Sequence, residues 1–363
     1  MFGNKDKDLE KQVLEALRGV NDPDLHRSIV ELGMVKNLIV KNGHVAFEIV
    51  LTTSACPLKA KIQSDAETAA TSVEGVTGVE AKISSETLAS KVHQAKKPIV
   101  GIKNIIAVSS GKGGVGKTTV SVNLACALQL RGAKVGILDS DIYGPNVPMM
   151  MGLHGAVIKE KTEDGKLKPP ENHGVKVMSM DFLVKDDQPV VWRGPLLDRV
   201  IRQFFNDTGW GELDYLIVDL PPGTGDAQLT MIEAVPLVGA VIVTTPQEVA
   251  VLDSKKGLSM FKNAGVPVLG VIENMSYYVC GHCDDKAYLF GQGGGELLAS
   301  TLGVEFLGEV PMNPDVRKYA DEGKPIVVAD PESPQAQAFL EIAQKLTADI
   351  CARGLEELVA VPA

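Results

Sequence analysis

Residues 111–118 run Gly111, Lys112, Gly113, Gly114, Val115, Gly116, Lys117, Thr118, which fits the pattern G-x-x-x-x-G-K-[ST]. Glycines at this density let backbone N–H groups close around phosphate oxygens with no Cβ in the way. A helix starting here, at about Thr119, adds free amides and the positive end of its dipole. Lys117 can neutralise β- and γ-phosphate oxygens, and Thr118 offers a hydroxyl to Mg²⁺, so ATP with that ion is the expected ligand. A second lysine, Lys112, stands inside the loop; a solvated loop lysine is the plain reading of it.

Cys280 and Cys283 form a C-x-x-C pair around Gly281 and His282. Two soft sulfur donors at this spacing can share a metal or a cluster, and thiolates select zinc, Cu(I) or iron–sulfur species. Tetrahedral zinc and a [4Fe–4S] cluster both take four ligands, and the chain has no second C-x-x-C. A homodimer would supply two more thiolates across its two-fold axis. A redox pair and a zinc knuckle are the alternatives. A redox C-x-x-C normally opens a helix after a strand, whereas this one lies between Tyr277-Tyr278-Val279 and Asp284-Asp285. His282 reads as a bystander.

Phosphoryl transfer also needs carboxylates. Asp219 ends the apolar run 215–218, where it would hold Mg²⁺. The turn Pro221, Pro222, Gly223, Thr224, Gly225 follows at once and could sense a γ-phosphate through backbone amides. Asp139 and Asp141 follow another apolar run, at the end of a strand where parallel sheets bind ligands; a pair capping the next helix is the alternative.

These residues need strands and helices to hold them. Apolar runs at 105–109, 135–139, 215–220, 240–244, 268–273 and 306–310 alternate with helical segments, and 334–352 reads as a C-terminal helix. That is an α/β fold, a doubly wound, mostly parallel sheet. A small α+β domain precedes it. Leu9, Val13, Leu14 and Leu17 have helical spacing, and 34–40 with 44–51 form a hairpin around Asn42-Gly43. A second helix at 59–73 and a strand at 79–83 close the unit. The expected division is 1–90, a linker at 91–101 ending near Pro98, and 102–355.

The chain has 363 residues and a net charge of −10. Residues 1–97 are charge-balanced, so the whole excess falls on the second block. An acidic chain does not coat nucleic acid. No apolar run approaches a bilayer span, and the N-terminus is polar and acidic, so a cytoplasmic protein without membrane attachment is expected. Five cysteines with no secretion signal read as reduced thiols. Cys126 falls in an apolar helix and reads as core; Cys351 reads as incidental.

The loop with its second lysine resembles the deviant phosphate loop of the SIMIBI class of dimerising ATPases, which implies that Lys112 reaches the partner's nucleotide. More specifically, SSGKGGVGKTT, LDSDIYGPNVP, DYLIVDLPPGTGD, VIENMSYYVCGHC and FGQGGG resemble the Mrp/ApbC family of iron–sulfur cluster carriers. The resemblance implies a dimeric ATPase that holds a labile [4Fe–4S] cluster between subunits, takes it from a donor and delivers it to apo-proteins. It makes Asp141 the residue that orients the attacking water, puts Asp139 nearer the metal, makes Asn274 the adenine-side asparagine, and has Pro311, Met312 and Asn313 close the base pocket. The N-terminal block is similar to the metal–sulfur assembly domain of SufT- and PaaD-like proteins, through Asp22-Pro23-Asp24, Glu31-Leu-Gly33 and Thr52-Thr53-Ser-Ala-Cys56-Pro57. Cys56 is a candidate second thiol site or a buried small hydrophobe. Two other readings stay open: a ParA/MinD-like partitioning or septum-positioning ATPase, and a zinc-stapled, nucleotide-dependent scaffold. The first would need a basic face or a basic amphipathic helix and has no use for a C-x-x-C.

Overall fold

The computed structural model describes residues 2–23, 25–53, 58–87, 96, 98–142, 144–183, 194–280, 282–283 and 285–359. It divides into two compact units, one made of Met1–Ala89 with Thr347–Ala363, the other of Ser90–Leu346. Cys56, Gly281 and most of the expected linker lie outside the described residues.

In the first unit the helix Phe2–Leu17 buries Val13 and Leu17. The hairpin forms as its turn residues predict, Val35–Lys41 against His44–Leu51, antiparallel. The strand Gly78–Ser85 pairs parallel with His44–Leu51 along its whole length, and the helix Lys59–Thr71 makes the crossover. Phe47, Ile49, Ile62, Ala66 and Ala70 are the centre of this core.

The C-terminal helix, Pro334–Val359, runs further than the sequence pattern suggests. From Thr347 on it groups with the first unit. The reason is packing: Leu355 lies against the first unit's core, and the buried Cys351 donates its thiol hydrogen to Thr52 O at 3.3 Å. Cys351 is a core residue of that unit.

In the second unit, among the described residues, nine strands form one sheet. Its order is Lys286–Ala287, Val268–Val279, Gly239–Thr244, Ile102–Ser110, Leu213–Asp219, Val135–Asp139, Val175–Met178, Glu171–Asn172, with Phe306–Met312 also on Val268–Val279. Only Lys286–Ala287 and Glu171–Asn172 pair antiparallel. Every residue of Val135–Asp139, Leu213–Asp219 and Gly239–Thr244 is buried, as strands covered on both faces must be. The pair Glu171–Asn172 and Val175–Met178 escaped the sequence reading, because a strand of four residues carries too little periodicity.

Ile102–Ser110 sits at the centre. The chain leaves it to one side for Val135–Asp139 and later fills the other side with Gly239–Thr244. Its C-terminal end is therefore a switch point, where an open parallel sheet leaves a crevice. Residues 111–118 begin there.

Candidate functional site

The phosphate-loop motif has the strand and helix it requires: Ile102–Ser110 leads in and Lys117–Leu130 leads out. Gly116 caps the helix in the left-handed region, φ 79°, and the Asn274 side-chain amide lies so close that a Cβ could not fit. That amide donates to Val115 O at 2.8 Å. Ser110 Oγ donates to Lys112 O at 2.9 Å, and Gly223 N donates to Ser110 O at 3.1 Å, which joins the Pro221–Gly225 turn to the start of the loop.

Behind the loop lies a buried cluster. Lys117 Nζ is 2.7 Å from Asp219 Oδ2, to which the Thr118 hydroxyl also donates at 2.8 Å. Ser121 Oγ donates to Asp219 Oδ1 at 2.5 Å. Ser121 is a site residue the sequence reading missed; the signal was its position one helical turn beyond Lys117. Asp139 is the register partner of Asp219 on the adjacent parallel strand, and both are buried. Burial first, and then the Asp219 charge, push the Asp139 carboxyl well above the usual carboxylate range. The N–H groups of Asp141 and Val147, each donating to Asp139 at 3.1 Å, and the charge of Lys117 act the other way. Two buried carboxyl groups and a threonine hydroxyl are a hard-oxygen donor set with a single ammonium, that of Lys117, against them, which fits Mg²⁺.

Asp141 is half-buried beside this cluster. Lys112 is half-buried too, and makes no side-chain hydrogen bond or ion pair with any described residue. Thr118, Thr119, Asn274, Pro311, Met312 and Asn313 all line one cavity of about 1010 Å³. The sequence reading thus converges on one space from three distant segments. It missed the apolar wall formed by Met149, Met150, Met275 and Phe339.

The strand carrying Asn274 runs on to Val279, past the end expected for it at Glu273. It continues through a kink: Met275 has φ 55° and the register with Phe306–Met312 shifts between Asn274 and Tyr278. Beyond it, Tyr278 and Val279 pair antiparallel with Ala287 and Lys286, and Cys280 N donates to Asp285 O at 3.0 Å. The C-x-x-C therefore caps a β-hairpin rather than opening a helix. Cys280 is half-buried and Cys283 exposed. Among the described residues no group of three or more His, Cys, Asp and Glu gathers to hold a metal.

Comparison with known proteins agrees with this layout. The family described as NUBPL iron-transfer P-loop NTPase matches residues 101–347, and the iron–sulfur cluster assembly protein family matches residues 10–83. An iron–sulfur cluster carrier protein of Synechocystis sp. is 51% identical over 341 residues, covering 93% of this chain and 97% of that one. Its counterpart in Deinococcus radiodurans is 47% identical over 347 residues, covering 95% and 97%. Among solved structures, a nucleotide-binding protein of Archaeoglobus fulgidus in complex with ADP superposes with a TM-score of 0.57 at 40% identity, covering 65% of this chain and 91% of that one. The chain belongs to the NUBPL family of iron-transfer P-loop NTPases, with an iron–sulfur cluster assembly domain at its N-terminus.

Proposed function

We propose that this chain binds and hydrolyses ATP and carries a [4Fe–4S] cluster, held between two copies, from a donor to apo-proteins in the cytoplasm. The observation that carries the reading is the C-x-x-C hairpin built on the strand that also touches the phosphate loop. One chain offers two thiols, half the ligand set of such a cluster, and a second copy supplies the rest. Relatives along nearly the whole chain bear the name iron–sulfur cluster carrier protein.

The residues divide the work as follows. Backbone amides of residues 111–119 cradle the phosphates, and Lys117 neutralises their charge. Thr118 and Asp219, with Asp139 behind, would hold Mg²⁺, which when bound offsets the charge of the β- and γ-phosphate oxygens. Asp141 orients the attacking water. Asn274 and residues 311–313 hold the base in the 1010 Å³ cavity. Lys112, with no described partner in its own chain, reaches the nucleotide of the second copy. Cys280 and Cys283 hold the cargo, exposed enough to pass it on. Cys56 is a second thiol in the assembly domain.

Anaerobic reconstitution with iron and sulfide tests the reading. A visible absorption band in the region of 400 nm is expected by the general behaviour of thiolate-bound clusters, and Cys280→Ala with Cys283→Ala abolishes it. A wild-type chain that takes up only zinc, or a band that survives both substitutions, refutes the carrier.

A further inference from the structure

The hairpin that carries the two cysteines is closed at its neck by one carboxylate. The chain leaves through Val268–Val279 and returns through Lys286–Ala287 to the helix Gly294–Leu302. Across that neck Glu273 Oε2 accepts from Gly295 N at 2.5 Å, while Oε1 accepts at 2.6 Å from Ser276 Oγ, three residues on along its own strand. Glu273 and Ser276 are fully buried. The approach is so close that a Cβ on Gly295 would lie 2.8 Å from Glu273 Cβ, which is why glycine stands there. The bond also satisfies one of the free N–H groups of that helix's first turn.

Beyond the neck the two arms of the hairpin meet in a short ladder. Among the described residues its two arms share the pairs Tyr278–Ala287 and Val279–Lys286 and the Cys280–Asp285 backbone bond, and Tyr278 on the outgoing arm also pairs with Met312. The Lys286 ammonium sits 4.0 Å over the Tyr277 ring, and the Tyr277 and Tyr288 rings are 6.0 Å apart. These side chains are partly or fully exposed, whereas the Glu273–Gly295 bond is a buried polar tie between the outgoing and returning segments. Its neighbour Asn274 bonds the phosphate loop instead. Successive side chains of a strand point to opposite faces, so adjacent residues anchor two different sites.

We propose that Glu273 is a positioning residue for the C-x-x-C: it clamps the hairpin neck and so fixes where Cys280 and Cys283 stand, separately from nucleotide binding. The inference rests on the reading of these cysteines as cluster ligands and adds what holds them. Two thiols retain a shared group only while their separation is kept, and a buried, closed loop keeps it better than an exposed ribbon.

The test begins with the full chain free of cluster. In Glu273→Ala, amide exchange over residues 277–290 should quicken about tenfold, the loss of one buried hydrogen-bond anchor. Exchange in Lys117–Leu130 and the affinity for ATP should hold at wild-type values. After reconstitution, loss of the cluster to a chelator should be about tenfold faster in Glu273→Ala. Glu273→Gln, which keeps an oxygen for Gly295 N, should restore most of the lifetime. Unchanged exchange over 277–290 overturns the proposal, as does an ATP affinity that falls in step with cluster lifetime. If Glu273→Ala does not fold, Ser276→Ala carries the same comparison, with about a threefold effect expected from a weaker neutral bond and no effect overturning the clamp. A hairpin that loosens in a chain that takes up no cluster supports the clamp and overturns the cluster reading alone.

Discussion

Lys117 and Asp219 form an ion pair of 2.7 Å almost without solvent, their side chains 6% and 0% exposed. The lysine stands at the first turn of one helix and the acid at the end of the neighbouring parallel strand, 102 positions on in sequence, so the pair ties the phosphate loop to the sheet. Asp139 lies beside it with no cation of its own among the described ion pairs.

Lys117→Ala should therefore do two things. It leaves Asp219 buried without its cation, and thermal unfolding should show a loss of about 3 kcal/mol, the usual consequence of breaking a buried pair by removing one partner. ATP turnover should fall by about a hundredfold or more, since charge neutralisation at the phosphates is lost. Turnover at the wild-type rate would remove Lys117 from the reaction.

If Lys112 acts on the partner's nucleotide, defects in the two loop lysines should complement. Lys112→Ala and Lys117→Ala chains, each inactive alone, should regain part of the wild-type turnover on mixing, because a mixed dimer assembles one complete site. A mixture no more active than its components places Lys112 in its own site.

Gly116→Ala meets a double obstacle, a left-handed φ of 79° and the Asn274 amide in the space a Cβ would need. Loop and strand must part, so titration with ATP should show affinity reduced by about tenfold or more, the equivalent of 1–3 kcal/mol of backbone strain. Asn274→Ala in the same chain should relieve part of the loss, since it removes the obstructing group.

The cysteines should separate by environment. Burial pushes the Cys126 thiol up to about 12, so at pH 8 it stays protonated as well as enclosed. Alkylation followed by mass spectrometry should mark Cys283 first and leave Cys126 unmodified in the folded chain. Raising the pH to 9 should not change this, because the thiolate of Cys126 forms only as pH approaches its raised value. Labelling of Cys126 at the rate of Cys283 would show that the helix Lys117–Leu130 opens.

The phosphate loop was legible because its residues are contiguous and its chemistry is backbone chemistry: glycines, a helix start and one lysine leave little choice of structure. The strand-end positions of Asp219 and Asp139 were legible for a related reason, since each ends an apolar run, and the C-x-x-C stands out by its own short spacing. Ser121, Glu273 and Ser276 were not. Serine and glutamate are ordinary on helices and strand ends, and nothing near them in the chain says that Ser121 will meet Asp219 or that Glu273 will meet Gly295.

By itself, the sequence determined the class of fold, the nucleotide loop and the two thiols, because each depends on local spacing. The tertiary structure decided the rest. The strand through Asn274 continues, through the kink at Met275, into the hairpin that presents the cysteines. The last helix completes the core of the first unit, with Cys351 and Leu355 packed into it. Neither was readable in one dimension, since both rest on burial and hydrogen bonding between segments that only folding brings together.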